Sequence, residues 1–199
     1  MIDSPDDRRF MGQALALARA QQGRTAPNPA VGCVIVKAGQ VVGQGATGDG
    51  GRPHAEPQAL RQAGAQAQGS TVYVTLEPCA HHGQTPPCVE AILAAKPARV
   101  VVATPDPDPR TAGQSLVRLQ AAGIATTVGV MADEAAEVMA GFFHKLRTGQ
   151  PLVVESLDGQ GCDAPFVLRA GETAEQAIQR YAQGPETCLW VKPGSPEAI

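Results

Sequence analysis

Residues 71–103 read TVYVTLEPCAHHGQTPPCVEAILAAKPARVVVA, and their pattern decides the fold class. Thr71–Leu76 is a β-branched and aromatic run that suits a strand. A loop rich in Pro, His and Gly follows, then Cys88–Lys96 with helical composition, then the valine-rich strand Arg99–Ala103. Toward the C-terminus the alternation continues. Ser115–Ala122 predicts a helix closed by Gly123, Thr126–Val130 a strand, and Asp133–Arg147 one long helix. Toward the N-terminus, Ser4-Pro5-Asp6-Asp7 supplies a cap, a proline at the first helical position and first-turn acids. That helix runs through Phe10, Ala14, Leu17 and Ala18 and stops near Gly23. Val31–Val36 and the short Val41-Val42 flank the turn Lys37-Ala38-Gly39-Gln40 as a hairpin, and His54 to Ala67 predicts a further helix. Such alternation specifies an α/β layered sheet, partly parallel.

The 199 residues make one domain of ordinary size, about 150 residues, and a short remainder. The boundary falls at Thr148-Gly149-Gln150-Pro151, where the long helix ends. At 43% hydrophobic and 18% charged residues, the chain is globular rather than disordered. A net charge of −3 and the lack of a Lys/Arg cluster beyond Arg8-Arg9 argue against nucleic acid as a partner. No apolar run approaches the ~18 residues of a membrane span. The acidic start, Met1 to Asp7, lacks the apolar core of a signal peptide, so a cytoplasmic protein is expected. Five cysteines in such a chain point to metal or thiol chemistry rather than a disulfide framework. Cys162 and Cys188 could pair in principle, but a cytosolic location favours free thiols, and Cys33 is expected as a small core residue.

Three pieces carry chemistry: His54-Ala55-Glu56, Pro78-Cys79, and Cys88 after Pro86-Pro87. One His and two Cys match a catalytic zinc, which takes three protein ligands and keeps a fourth position open. A structural zinc would need a fourth ligand, for which His81 and His82 are the near candidates. Positions i and i+2 lie about 200° apart on a helix, so His54 and Glu56 can share a site only at a helix entrance. Pro57 agrees with a first turn, although it disfavours helical geometry at Glu56. Cys88 also opens a helix, where the dipole favours a thiolate. Glu56 beside such a site can take a proton from water and pass it to a leaving amine, the role of the Glu in zinc deaminases.

At these residues the chain resembles the deaminase domains of the riboflavin-biosynthesis deaminase/reductases, within the cytidine-deaminase-like superfamily. The matching segments are residues 27–36 (PNPAVGCVIV), His54-Ala55-Glu56 and residues 73–88 (YVTLEPCAHHGQTPPC). Asp106-Pro107-Asp108-Pro109, Ala122-Gly123-Ile124 and Ser156-Leu157-Asp158-Gly159 extend the match over roughly the first three quarters of the chain. The long interval between Cys79 and Cys88 is characteristic, because many base deaminases use Pro-Cys-x-x-Cys. The resemblance implies a three-layer α/β/α cytidine-deaminase-like fold over residues 1–147, with a short C-terminal extension. It implies zinc held by His54, Cys79 and Cys88, with Glu56 as proton shuttle. It also assigns Asn28 and His81 to the pyrimidine, Asp106 and Asp108 to the ribose, and Gln84 to the phosphate. The implied reaction removes the 2-amino group of a diamino-ribosylamino-pyrimidinone phosphate, a small-molecule substrate, with release of ammonia. A homo-oligomer is expected, because the resemblance implies self-association and an apolar strand in the tail needs a sheet edge.

The departures from the family lie on the substrate side. Gln84 stands where Lys or Arg is usual, Asp108 where Asn is usual, and Thr47 where His is common. Loss of a cation and gain of an acid weaken attraction to a phosphate. The family reaction stays the expected one, and these departures supply its alternative, a related substrate that is dephosphorylated or belongs to a specialised flavin-like or pyrimidotriazine pathway. A non-catalytic zinc-stabilised partner module is the competing class, and the intact Glu56 argues against it. The tail, 148–199, lacks the Lys that precedes Ser-Leu-Asp-Gly in the family and has no glycine-rich βα turn for a dinucleotide. It is expected to be a truncated reductase remnant without reductase activity. Thr173–Tyr181 should form its helix and Thr187–Val191 its strand, packed on the deaminase domain or on a partner subunit.

Overall fold

The computed structural model of the chain describes residues 4–195. Met1, Ile2 and Asp3 of the acidic start and the last four residues of the 148–199 segment lie outside the described residues. Helix α1, Pro5–Arg19, begins as its cap dictates, with Ser4 Oγ accepting from the Asp7 N–H at 3.0 Å. The hairpin follows as β1, Gly32–Lys37, and β2, Gln40–Ala46. β2 extends well past Val41-Val42, because its glycines hide a strand from any alternation pattern. Helix α2 spans Ala55–Ala63 and ends at Gly64, after which a 3₁₀ turn reaches Ala67. Strand β3 is Thr71–Leu76, α3 Cys88–Ala95 and β4 Arg99–Thr104. Helix α4, Gln114–Ala121, precedes the edge strand β5, Ala125–Val128.

The main sheet has the order β2-β1-β3-β4-β5. β1 is antiparallel to β2 and β3, whereas β3, β4 and β5 are parallel. Two glycine contacts define its faces. A Cβ on Gly32 would lie 1.9 Å from the Ala14 carbonyl oxygen of α1, so that helix rests directly on the β1 backbone. A Cβ on Gly45 would lie 2.4 Å from the Ala55 carbonyl oxygen, which seats the entrance of α2 against β2 on the other face. Gly45 pairs with Cys33 and Gly43 with Ile35, so alternate β1 residues face opposite helices. Cys33 is fully buried there, as a small core residue should be. The result is a three-layer α/β/α arrangement.

A polar clamp ties α1 to three strands. Asp7 accepts from Tyr73 Oη at 2.9 Å and from Arg99 Nη1 and Nη2 at 2.9 and 3.0 Å. Arg99 also donates to Thr127 Oγ1. Burial pushes the Asp7 carboxyl up, but its bonds from Arg99 and Tyr73 outweigh this and leave it below the usual range.

The long helix expected over 133–147 is two helices, α5 Ala132–Val138 and α6 Ala140–Thr148. Met139 breaks them with φ −107° and ψ 15°. The change of direction lays Gly141 against Thr187 and Cys188, where a Cβ would approach the Thr187 carbonyl oxygen to 2.9 Å. Beyond Gly149 the chain forms β6 Leu152–Glu155, β7 Ala164–Pro165, α7 Ala174–Ala182 and β8 Cys188–Val191. These strands make a second, parallel sheet of order β6-β8-β7. β8 therefore finds both neighbours within its own chain, and the tail strand gives no reason for a second copy. Cys162 and Cys188 are joined as a disulfide with Cα atoms 4.8 Å apart, a correction to the expected free thiols. The fold brings the loop before β7 onto the central strand, a proximity invisible at a separation of 26 residues. Among the described residues no helix is long and apolar enough to cross a membrane.

Candidate active site

The ends of β1 and β3 and the entrance of α2 line one cavity of about 180 Å³, and the first residue of α3 is grouped with two of its lining residues, His54 and Cys79. His54 is the extended N-cap of α2 (φ −67°, ψ 163°), which frees its ring from the helix face. Cys79 lies in the loop after β3, and Cys88 is the first residue of α3 behind Pro87. His54 Nδ1 is 3.3 Å from Cys88 Sγ and 3.9 Å from Cys79 Sγ, and the three donor atoms lie within 4.8 Å of one another. Tetrahedral zinc with Zn–S near 2.3 Å and Zn–N near 2.0 Å needs donor separations of about 3.5 Å. One nitrogen and two thiols at this spacing fit that metal. His81 and His82 do not join the set. His81 Nδ1 is 3.2 Å from Thr111 Oγ1, and His82 is exposed. The grouped donors are thus three among the described residues, the number of a site with an open position.

The local electrostatics suit a cation. Hydrogen bonds from the Cys88 thiol, from His54 and from the Cys88 backbone N–H overcome burial and bring the Cys79 thiol down to about 4. The same contact holds the proton on Cys88, whose thiol is pushed up. The hydrogen bond to Cys79 also raises His54. Glu56, in the first turn of α2, is 4% exposed and lines the cavity. Burial, then the nearby Cys79 charge, pushes its carboxyl up, so it holds a proton more readily than a solvated acid. Pro57 causes no break: Glu56 is the second residue of a regular helix.

Of the residues assigned to substrate, Asn28, His81, Asp106 and Asp108 all line this cavity. Asn28 Nδ2 donates to the Gly51 carbonyl at 2.8 Å and lies 3.4 Å from His54 Nε2, so the amide also braces the histidine. Asp106 accepts from the Asp108 N–H at 2.9 Å, and burial lifts its carboxyl to about 6. Asp108 is gripped by Arg110, whose Nε lies 2.9 and 3.0 Å from its two oxygens. The acid expected to repel a phosphate is neutralised by its neighbour.

Gln84 is exposed on the bend after His82 and does not line the cavity. Its assignment to a substrate contact finds no support in the geometry. The cavity's cations are instead Arg52 and Arg110, neither of which the sequence reading singled out. With Arg110 paired to Asp108, Arg52 is left as a cation in a largely acidic lining, so the loss of a cation at position 84 does not by itself argue for an altered substrate. Glu77 was also missed, although it sits beside Pro78-Cys79. Its Oε1 accepts from Ser115 Oγ at 2.8 Å, and its Oε2 from the Gly113 and Asp106 N–H groups at 3.0 and 3.4 Å. It thereby fixes the 106–113 loop. Its place in the 73–88 segment was the signal that could have found it. Thr47, buried and lining the cavity, accepts from the Val31 N–H at 3.0 Å. Phe142 reaches the wall from α6, which no local pattern announces.

Comparison with known proteins is concordant. A family model described as the cytidine and deoxycytidylate deaminase zinc-binding region matches residues 4–104. The riboflavin biosynthesis protein RibD of Escherichia coli is 49% identical over 167 residues, covering 84% of this chain and 45% of that protein. The diaminohydroxyphosphoribosylamino-pyrimidine deaminase of Buchnera aphidicola is 43% identical over 145 residues, covering 73% of this chain and 99% of that protein. A solved structure of Acinetobacter baumannii RibD superposes with a TM-score of 0.71 at 48% identity, covering 84% of this chain and 47% of that one. The chain thus spans about half the length of the RibD proteins it matches and nearly the whole of the shorter deaminase.

Proposed function

Because the chain belongs to the cytidine and deoxycytidylate deaminase family and, within it, to the riboflavin-biosynthesis deaminases, we propose that it hydrolytically deaminates diaminohydroxyphosphoribosylaminopyrimidine. One water is consumed, the exocyclic C–NH₂ bond gives way to a carbonyl, and ammonia leaves. The observation that carries this reading is the buried Glu56 carboxyl in the cavity lined by His54 and Cys79, whose donor atoms group with that of Cys88. Bound by those three residues, zinc supplies Lewis acidity that activates water near neutral pH. Glu56 takes a proton from the attacking water and delivers it to the departing amine. Its raised affinity for a proton suits both halves of that transfer. Asn28 and His81 orient the pyrimidine, with the His81 ring held by Thr111. Val31, Leu76 and Phe142 supply apolar wall that limits bulk water. Asp106 and Asp108 line the side of the cavity assigned to the ribose.

In this reading residues 1–147 form the deaminase domain, and 148–199 form a small unit packed on it through α6. Self-association and a cytoplasmic location belong to the same reading, and sedimentation checks the first. A substrate panel tests the reaction. The zinc-loaded chain should release ammonium from the phosphoribosylaminopyrimidine and not from cytidine or deoxycytidylate. Preference for either nucleoside compound would overturn the substrate assignment.

A further inference from the structure

The cavity is acidic on most sides, with Glu56, Glu77, Asp106 and Asp108 in its walls. Of its two arginines, Arg110 is spent on Asp108. Arg52 is different. Its Nη1 donates to the neutral Thr85 Oγ1 at 2.7 Å, and its Nη2 lies 3.5 Å from where a Cβ on Gly83 would stand. The nearby Asp49 is paired with Arg24 at 2.8 Å. Among the described residues no carboxylate is paired with Arg52. It is half-buried, two residues before His54, and it leans on the exposed 82–86 bend at the edge of the cavity. A guanidinium so held is a preformed receptor for paired anionic oxygens, since its planar fork matches phosphate.

We propose that Arg52, braced by Thr85, is the specificity-determining residue that receives the phosphate ester of the substrate, and that Gln84 takes no part. This rests on the deaminase reading above for the identity of the substrate. The pyrimidine end lies at the metal donors and Glu56, and the ribosyl phosphate runs outward to the bend. Gly83 has no side chain to crowd the guanidinium, and the Thr85 hydroxyl fixes its plane without neutralising it.

The test uses the zinc-loaded full chain with the phosphorylated pyrimidine and its phosphatase-treated counterpart. Arg52→Gln should lower the ratio of their kcat/KM values about 10- to 100-fold, the loss expected for a charge-assisted contact. The change should appear mainly in KM for the phosphorylated compound. Arg52→Lys should recover part of the ratio, and Arg24→Gln, a surface change, should keep it. A ratio unchanged in Arg52→Gln would overturn the proposal. Direct binding of ribose 5-phosphate against ribose, by calorimetry, separates this claim from the reaction assigned to the enzyme. If neither pyrimidine is turned over, the reaction assignment fails, and calorimetry still decides on Arg52. A preference for ribose 5-phosphate that disappears in Arg52→Gln supports its role, and equal binding of the two sugars overturns it.

Discussion

The backbone N–H of Cys88 donates to Sγ of Cys79 at 3.2 Å, so one candidate ligand sits on the N-terminus of the helix that carries the other. The unsatisfied N–H groups of that first turn favour negative charge. Neither cysteine owes its position to the metal alone. The loop from Pro78 to Pro87 is closed by this bond and by the Val89 N–H to the Cys79 carbonyl at 3.3 Å.

Metal dependence follows. A chelator should abolish deamination, and zinc should restore it. Cys88→Ser should weaken zinc binding more than the roughly 10- to 100-fold typical of lost second-shell partners. Zinc uptake should also weaken as pH falls, because binding requires both thiols deprotonated and Cys88 holds its proton tightly. Ammonium release checks the first, and zinc content by elemental analysis, measured across pH, checks the other two.

Acid stability should depend on Asp7. Its carboxyl is held below its ordinary value in the folded protein. The stabilisation is therefore fully present above the unfolded value, near 3.8, and lost as pH falls through the lower folded one. Asp7→Asn should cost about 1–3 kcal/mol near neutral pH and flatten the acid limb of a stability profile. Urea unfolding at pH 3 to 7 measures both effects.

Close backbone approach at Gly32 makes a packing test. Gly32→Ala drives a methyl into the Ala14 carbonyl of α1. Destabilisation of about 1–3 kcal/mol, or failure to accumulate as folded protein, is expected. Gly39→Ala, at an open turn position, should cost less despite its positive φ.

The Cys162–Cys188 bridge is open to direct counting. Protein prepared without reductant should expose three thiols on unfolding, those of Cys33, Cys79 and Cys88. Cys162→Ser should lower the unfolding free energy of the tail by about 2–4 kcal/mol under those conditions and much less in dithiothreitol. Five thiols on unfolding would remove the bridge.

The legible parts of the chain were those set by local chemistry. Thr71–Leu76 is a strand over its whole expected length, and Cys88 opens its helix behind two prolines. Ser4 caps α1 as its residue type requires. The metal donors were legible because their types and spacing are unusual. What escaped was set by tertiary contact. The break at Met139 is needed to bring Gly141 onto β8, and nothing within 133–147 signals it. Arg52 gains its meaning from Thr85, 33 residues away. Gln84 drew attention for its position in a motif, and only the loop's path shows that it faces solvent. In the tail sheet β8 was legible as an apolar run, whereas β7, two residues long, has no pattern to read.

The most direct test of the account is Glu56→Gln, assayed for ammonium release from the phosphoribosylaminopyrimidine alongside zinc content. A carboxylate that moves the protons contributes about 10²–10⁴-fold, and the amide is nearly isosteric. The expected result is a loss of that size with zinc stoichiometry unchanged. Turnover within a fewfold of wild type, with zinc bound, would contradict the central claim.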